Sequence, residues 1–151
     1  MAPEFGLGRG KVFPAAKASS LLNPLRRLVQ SPSRTVARMR LPSDARVLEV
    51  GCGPGYFSPS IEASVPNGRL VVLDLQAEML RLVAGRAATA CRVQADASKL
   101  PFSSASFHAV FVSAMLGEVP DRGSALAEIR RVLRDAGHAT FAETRRDSDF
   151  I

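Results

Sequence analysis

The sequence predicts an α/β fold in which a doubly wound, mainly parallel sheet of about five strands lies between helices. Three observations lead to this prediction. Short apolar runs alternate with helical patterns along residues 42–151, and a glycine-rich turn directly follows the first run. The composition, with 46% hydrophobic and 23% charged residues in a chain of 151, is that of a single globular domain with one buried core.

The first forty residues differ from the rest in pattern. Residues 1–18 have no hydrophobic period and are predicted to form a flexible lead-in. Residues 19–41 are predicted to form a helical lid, because apolar residues recur there at spacings of three and four: Leu21, Leu22, Leu25, Leu28 and Val29. Ser31 is expected to cap a second short helix that reaches Met39.

The net charge of +6 arises in the same region, because residues 1–40 contain eight bases and one acid. The simplest interpretation is a solvated helix face. The alternatives are contact with nucleic acid, with an anionic membrane surface or with an anionic substrate. Residues 1–40 contain only two aromatic residues, Phe5 and Phe13, among these bases, which argues against nucleic acid as the partner.

Residues 42–151 are predicted to form the core domain. Strands are expected at 46–50, 69–73, 90–94, 107–113 and 138–143, and helices at 56–65, 76–88 and 121–134. Asp121 is expected to cap the last helix, and Gly137 to end it. Strands separated by helices of this length indicate βαβ units and hence a parallel sheet.

Composition also argues against several classes of protein. No apolar run approaches the roughly 18 residues of a membrane span, and the N-terminus lacks the apolar stretch of a secretory signal. The two cysteines, Cys52 and Cys91, lie in different segments without the spacing of a metal site. We therefore expect a protein of a reducing compartment, the cytoplasm, without a disulfide scaffold or a bound metal.

The turn after the first predicted strand reads Gly51-Cys52-Gly53-Pro54-Gly55. Glycines there permit positive φ angles and let backbone N–H groups approach a ligand, next to the partial positive charge of a helix N-terminus. Dinucleotide sites need a third glycine where this chain has Tyr56. Glu49, just before the turn, would repel a pyrophosphate and attract an ammonium, so the pattern favours a ligand with a positive amine.

Two further acids follow the second and third predicted strands, at the sheet edge where open α/β sheets bind ligands. Asp74 is placed to accept both hydroxyls of a ribose, and its alternative role is to cap the helix that begins near Gln76. Asp96 is placed to read an adenine edge, and its alternative role is to cap a turn. With Glu49, these acids predict a site for a nucleoside that carries an ammonium.

This constellation resembles the class I S-adenosylmethionine-dependent methyltransferases, and among them the small-molecule branch similar to ubiquinone/menaquinone-biosynthesis methyltransferases. The matching segments cover about residues 41–145 in order: VLEVGCGPGYFS (47–58), DLQAEML (74–80), QADASKLPFSSASF (94–107), LGEVPD (116–121) and LAEIRRVL (126–133). The resemblance implies a Rossmann-like fold, S-adenosylmethionine as cofactor with S-adenosylhomocysteine as product, and a small-molecule acceptor.

The resemblance also implies a role for each matching position. Glu49 and the backbone of Gly51–Gly55 would hold the methionine end of the cofactor, Asp74 its ribose, and Asp96 with the Ala97 N–H its adenine. For Met79, packing in the helix core is an equal alternative to contact with the adenine. The expected cofactor-binding residues are Glu49, Gly51, Cys52, Gly53, Gly55, Tyr56, Asp74, Leu75, Met79, Asp96, Ala97 and Ser113.

The sequence departs from the family pattern at several places. His108 stands where the family commonly has an acid, and its place near the start of a strand indicates a structural role. Arg134-Asp135-Ala136-Gly137 replaces a Lys-Pro-Gly-Gly turn. The chain is expected to lack the C-terminal antiparallel strand pair of the family. The fifth strand is then an open edge that invites a homodimer or another partner.

The reaction that the resemblance implies is an in-line displacement at the sulfonium methyl group, to which the enzyme contributes mainly proximity and alignment. The catalytic residues stay unassigned, because no residue stands out as a general base. Tyr56 and Glu118 lie in suitable loops, where packing and solvated roles are the commoner ones. Residues 19–41 are expected to cover the cofactor, and Arg26 and Arg27 to favour an anionic or lipid-like acceptor.

Two other functions stay open. The chain is alternatively a non-catalytic cofactor-binding or interaction module of the same fold, or a nucleic-acid methyltransferase that uses its basic arm. The second alternative lacks support after the fourth strand, where Ser113-Ala114-Met115-Leu116 stands in place of an Asn-Pro-Pro-Tyr-type motif.

Overall fold

The computed structural model describes residues 13–113 and 115–143. In these residues a single sheet of five strands has the order β3-β2-β1-β4-β5. All four pairings between neighbouring strands are parallel, which confirms the predicted fold class. The strands are β1 (Arg46–Val50), β2 (Arg69–Asp74), β3 (Cys91–Gln94), β4 (Phe107–Ser113) and β5 (Leu133–Ala142).

The helices begin and end close to the predicted positions in the core domain. The α-helices are α1 (Ala18–Leu21), α2 (Arg26–Val29), α3 (Pro32–Ala37), α4 (Ser58–Ser64), α5 (Ala77–Ala84) and α6 (Arg122–Val132), and 3-10 turns span Ala15–Lys17 and Leu116–Glu118. Asp121 caps α6 as predicted, since its carboxylate accepts the backbone N–H of Ser124 at 2.9 Å.

Apolar side chains alternate between the two faces of the sheet along each strand, so each face has its own core. Val47 and Val72 pack on one face with Val36 of α3, Ile61 of α4 and Val83 of α5. Their neighbours along the strands face the other side of the sheet and pack against α6. This second core contains Leu48, Val50, Leu73 and Val110 of the strands with Ala125, Ile129 and Val132 of α6. Helices therefore cover both faces, as in a doubly wound sheet.

The N-terminal region differs from its prediction. Residues 1–12 of the expected lead-in lie outside the described residues, whereas residues 13–18 include a 3-10 turn and the buried Ala18. The helical period of residues 19–41 is broken at Pro24, which has no N–H to continue the ladder from α1. Ser31 caps α3 as expected by accepting the Arg34 N–H. None of the helices described is both long and apolar enough to cross a bilayer.

The start of β5 also differs from the prediction. Helix α6 ends at Val132, and the chain enters β5 at once, so Gly137 does not end the helix. The register steps from Phe107↔Leu133 to Ala109↔His138, which makes a bulge in β5. Ala136 takes a φ of 62° within it. A Cβ at Gly137 would lie 2.8 Å from the Arg134 carbonyl oxygen, so close backbone packing explains this glycine.

Candidate functional site

A cavity of about 300 Å³ opens at the carboxyl ends of β1, β2 and β4. Its size is at the lower end of the roughly 300–1,000 Å³ of small-molecule sites. The place is the one where open α/β sheets bind ligands, because the order of the strands reverses beside β1. The candidate site therefore lies where the sequence predicted it.

The glycine turn after β1 forms one wall. Gly51 and Gly53 have φ angles of 71° and 53° and line the cavity. The N–H groups of Gly51 and Cys52 donate to the Leu73 carbonyl at 2.8 and 3.1 Å, which fastens the turn to β2. A Cβ on Gly51 would lie 2.4 Å from Cγ of Met115, so only glycine fits against that side chain.

Gly55 is the one expected site residue that does not line the cavity, although its φ is 92°. A Cβ there would lie 3.2 Å from Cγ2 of Val83, and the Gly55 carbonyl accepts from Nε of Arg86 at 3.1 Å. Gly55 therefore lets the turn pack closely against α5 rather than touching the ligand space.

Asp74 ends β2 and reaches back to the glycine turn. Its Oδ2 accepts the Gly53 N–H at 3.0 Å, and its Oδ1 accepts the Gln76 N–H at 2.9 Å. Burial raises the pKa of Asp74, opposed by the N–H groups of Gln76, Gly53 and Leu75. Each carboxylate oxygen has a second lone pair, so Asp74 holds the loops together and can still accept a ligand hydroxyl.

Glu49 lies in β1 and is almost fully buried, with 2% of its surface exposed. Oγ of Ser58 donates to its Oε2 at 2.6 Å. Burial raises the pKa of Glu49 to about 8, the Ser58 bond opposes this rise, and the charge of Asp74 adds to it. Glu49 and Asp74 thus present two carboxyl groups to one cavity, and both are harder to ionise than in water.

Cys52 lines the same cavity but is unsuited to nucleophilic chemistry. Only 5% of its surface is exposed. Burial raises the pKa of the Cys52 thiol far above its usual range, and the charges of Glu49 and Asp74 raise it further. A thiol reacts as the thiolate, so Cys52 acts as a small apolar wall residue.

The loop after β3 supplies the next wall. Asp96 is exposed, and its Oδ1 accepts both the N–H and the hydroxyl of Ser98 at 2.8 Å, so it does form the turn cap that was its alternative role. Asp96 and the buried Ala97 nevertheless line the cavity. The loop is held by α6, where Glu128 accepts the Leu100 N–H at 2.8 Å.

Three further expected residues lie in the wall, each at a strand end or helix start. Leu75 is half exposed at 50%, whereas Met79 is buried at 2% and contributes both to the core and to the cavity. Ser113 ends β4 and is partly buried. The cavity thus brings together all of the expected site residues except Gly55.

The N-terminal region supplies a further wall of the cavity. The sequence singled out Arg26 there for the acceptor and placed Leu21 in the expected lid, whereas it gave Phe13 no part in the site. Phe13, Leu21 and Arg26 line the cavity. The Phe13 backbone bridges two loops, since its N–H donates to Oε2 of Glu118 at 3.2 Å and its carbonyl accepts from Nε2 of Gln76 at 2.7 Å. These contacts join residues 105 and 63 positions apart, which a local pattern does not reveal.

Arg26 and Tyr56 hold the lid segment, residues 19–41, against the glycine turn. The guanidinium of Arg26 lies 4.1 Å from the centre of the Tyr56 ring, and the Tyr56 hydroxyl donates to the Gln30 carbonyl at 2.7 Å. Arg26 also donates to the Gln30 side chain and to the Leu21 carbonyl. Burial lowers the pKa of Arg26 and raises that of Tyr56.

The candidates for a general base are engaged in structural contacts. Tyr56 is bound to the lid segment, and Glu118 accepts from Phe13. His108 lies toward the opposite end of the sheet, where its Nδ1 accepts the Arg46 N–H at 3.0 Å and its Nε2 contacts Arg134. These contacts agree with the structural role expected for His108.

Comparison with known proteins shows which family this chain belongs to. A family model described as a methyltransferase domain matches residues 48–141, which include both buried carboxylates and the glycine turn. The chain belongs to the class I S-adenosylmethionine-dependent methyltransferases. The cofactor of this family is the one that the resemblance implied.

Individual relatives are similar to most of this chain, which matches less than half of each of them. A demethylmenaquinone methyltransferase of Roseiflexus is 38% identical over 102 residues, which are 66% of this chain and 43% of that protein. A malonyl-[acyl-carrier protein] O-methyltransferase of Erwinia billingiae is 35% identical over 103 residues, 68% of this chain and 40% of that protein. The chain spans less than half the length of either relative.

The fold is also found among solved structures. A SAM-dependent methyltransferase from Aquifex aeolicus superposes with a TM-score of 0.74 at 22% identity, covering 82% of this chain and 69% of that one. At this identity the match establishes the fold alone.

The residues that line the cavity fit S-adenosylmethionine, which carries an ammonium and a sulfonium next to a nucleoside. In the part of the chain that the structure describes, neither Glu49 nor Asp74 forms an ion pair, and burial raises the pKa of both. Backbone groups of Gly51 and Gly53 face the cavity without Cβ atoms in the way. A cationic nucleoside matches these properties, and a pyrophosphate does not.

Proposed function

We propose that this chain binds S-adenosylmethionine and supports methyl transfer to a small-molecule acceptor. The observation that carries the proposal is the pair of carboxyl groups, Glu49 and Asp74, facing one cavity beside a glycine turn at the carboxyl edge of a parallel sheet. Family membership supports the same conclusion.

Each wall of the cavity has a proposed part in binding. Glu49 and the backbone of the glycine turn would hold the amino-acid end of the cofactor. Asp74 would accept the ribose hydroxyls through its remaining lone pairs. Asp96 and the Ala97 N–H would hold the adenine, between the apolar side chains of Leu75 and Met79.

The chain's contribution to the reaction would be positioning and exclusion of water. The cofactor, when bound, supplies a methyl group already activated by the sulfonium charge, for in-line displacement. Phe13, Leu21 and Arg26 close the cavity from the N-terminal side, while Met115 and Val119 line it beyond β4. Alignment of two reactants in such a closed site lowers a barrier by roughly 7–11 kcal/mol in favourable cases.

The acceptor is proposed to have an apolar part. Apolar residues outnumber charged ones in the cavity wall as a whole, and they include Leu21, Phe57, Met115 and Val119. The relatives named for malonyl-[acyl-carrier protein] and demethylmenaquinone point to an acyl or quinone-like acceptor. The earlier expectation that Arg26 favours an anionic acceptor is weakened, because three of its N–H groups are bound within the lid segment.

Calorimetric titration with S-adenosylhomocysteine tests the proposal. Asp74→Asn should weaken binding at least tenfold, because a charge-assisted hydrogen bond contributes about 1.5–3 kcal/mol. Asp135→Asn, a change of the same type on the exposed start of β5, is the matched control and should bind like the wild type. Equal affinity of the Asp74 variant and the wild type would refute the assignment. Binding without methyl transfer to acyl or quinone acceptors would favour the non-catalytic module.

A further inference from the structure

The lid segment exposes three large apolar side chains together. Leu25, Leu28 and Val29 are 68%, 84% and 87% exposed, the highest values among the large apolar residues of the described chain. Their spacing of three and four residues places them on one face of the turn that contains α2. We call these three residues the lid patch. Clustered apolar side chains with this exposure indicate a contact surface.

Positive charge surrounds the lid patch along the chain. The lid segment contains five arginines and no acid, and four of these arginines are exposed: Arg27, Arg34, Arg38 and Arg40. Arg27 lies within α2, between the apolar residues of the patch. A partner surface must therefore be anionic at its outer layer and apolar beneath. The interface of a bilayer that contains anionic lipids has both properties.

The other side of the same turn faces the cavity. Arg26 points inward to the Tyr56 ring and lines the cavity, and Leu21 at the end of α1 lines it too. The contact between the Tyr56 hydroxyl and the Gln30 carbonyl fixes the end of α2. The lid patch is thus held outward on a short element whose inner face covers the site.

We propose that the lid patch inserts into the interface of anionic membranes, with the exposed arginines of the lid segment at the headgroups. The contact holds the cavity beside the bilayer, where an acceptor with an apolar tail resides. The membrane contact itself does not require the proposed methyl transfer, so the two can fail separately.

Flotation with vesicles tests the contact directly. The 151-residue chain is mixed with vesicles of phosphatidylcholine containing about 30% phosphatidylglycerol, and with vesicles of phosphatidylcholine alone. We expect binding to the anionic vesicles, a loss of at least tenfold with Leu28→Ser/Val29→Ser, and a loss of about fivefold with Arg27→Gln. Salt at about 1 M should weaken binding, since it shortens the screening length to about 3 Å.

A matched variant separates the lid patch from general surface hydrophobicity. Leu82 of α5 and Leu126 of α6 are 45% and 44% exposed, and Leu82→Ser/Leu126→Ser should bind vesicles like the wild type. Calorimetry with S-adenosylhomocysteine shows whether each variant keeps its cavity. Three results would overturn the proposal. The wild type does not bind vesicles, the two serine pairs lose vesicle binding equally, or light scattering shows that the lid patch causes self-association of the chain instead of vesicle binding.

Discussion

Gly51→Ala is the substitution for which the structure gives the most specific expectation. The new Cβ would lie 2.4 Å from Cγ and 2.7 Å from Cβ of Met115, and the residue would keep a φ of 71°. Gly53→Ala provides a matched control. Its φ is 53°, and its nearest neighbour, Cδ1 of Leu21, lies at 3.8 Å. The two variants share the backbone strain and differ in the clash.

The expected magnitudes follow from these two contributions. A left-handed conformation destabilises a non-glycine residue by roughly 1–2 kcal/mol, which applies to both variants. Overpacking adds about 1–3 kcal/mol for Gly51→Ala alone. We therefore expect its free energy of unfolding to fall by about 2–5 kcal/mol in all, against about 1–2 kcal/mol for Gly53→Ala.

Urea unfolding of the two variants measures this difference, and a second substitution tests its cause. Met115→Ala removes Cγ but leaves Cβ, so it should restore part of the stability of Gly51→Ala and none of the stability of Gly53→Ala. Gly51→Ala should also weaken the binding of S-adenosylhomocysteine more than Gly53→Ala does, because relief of the clash displaces a cavity wall. Equal stability losses for the two glycine variants, or equal rescue by Met115→Ala, would show that the Met115 contact is not the cause.

The remaining predictions concern Glu49 and the two cysteines. Because the folded-state pKa of Glu49 is raised to about 8, its contribution to stability is complete below about pH 4.5 and is lost as the pH rises toward 8. Glu49→Gln should flatten that dependence in unfolding measurements from pH 4 to 8. Binding of the S-adenosylhomocysteine ammonium at pH 7 should release a proton from Glu49. Calorimetry would show this release as a binding enthalpy that depends on the buffer, and Glu49→Gln should lack that dependence. Absence of proton release from the wild type would contradict the placement of Glu49. The exposed Cys91 should react with a thiol reagent in the folded state, whereas the buried Cys52 should react only on unfolding; mass spectrometry of labelled peptides distinguishes them.

Much of the fold could be predicted because its signals are local. The strand β4 was predicted at its observed bounds, since FHAVFVS is a short apolar run that directly follows the polar segment SSAS (103–106). The cap at Asp121 is a short-range hydrogen bond that the sequence displays directly. The start of β5 was misplaced, because its bulge depends on backbone packing against His108 of a neighbouring strand. No local pattern contains that contact.

The candidate site shows the same division. Glu49, Asp74 and Asp96 were found because parallel strands bring their carboxyl ends to one edge. The bridge that Phe13 makes between Gln76 and Glu118 was missed, because it joins three segments distant in sequence. Gly55 was assigned to the ligand because it shares the turn with Gly51, whereas its conformation serves packing against Val83. Spacing indicates that a glycine is needed and does not indicate which neighbour requires it.

The electrostatics of the cavity explain why stability and ligand binding should be linked in this chain. Burial raises the pKa of both Glu49 and Asp74, so ionising either group opposes folding. A ligand with a positive charge favours the ionised carboxylates and lowers both pKa values. We therefore expect the same burial that destabilises the ligand-free domain at neutral pH to favour a cation over a neutral nucleoside. On this argument the selectivity of the site would depend on the desolvation of its two acids as much as on the hydrogen bonds they form.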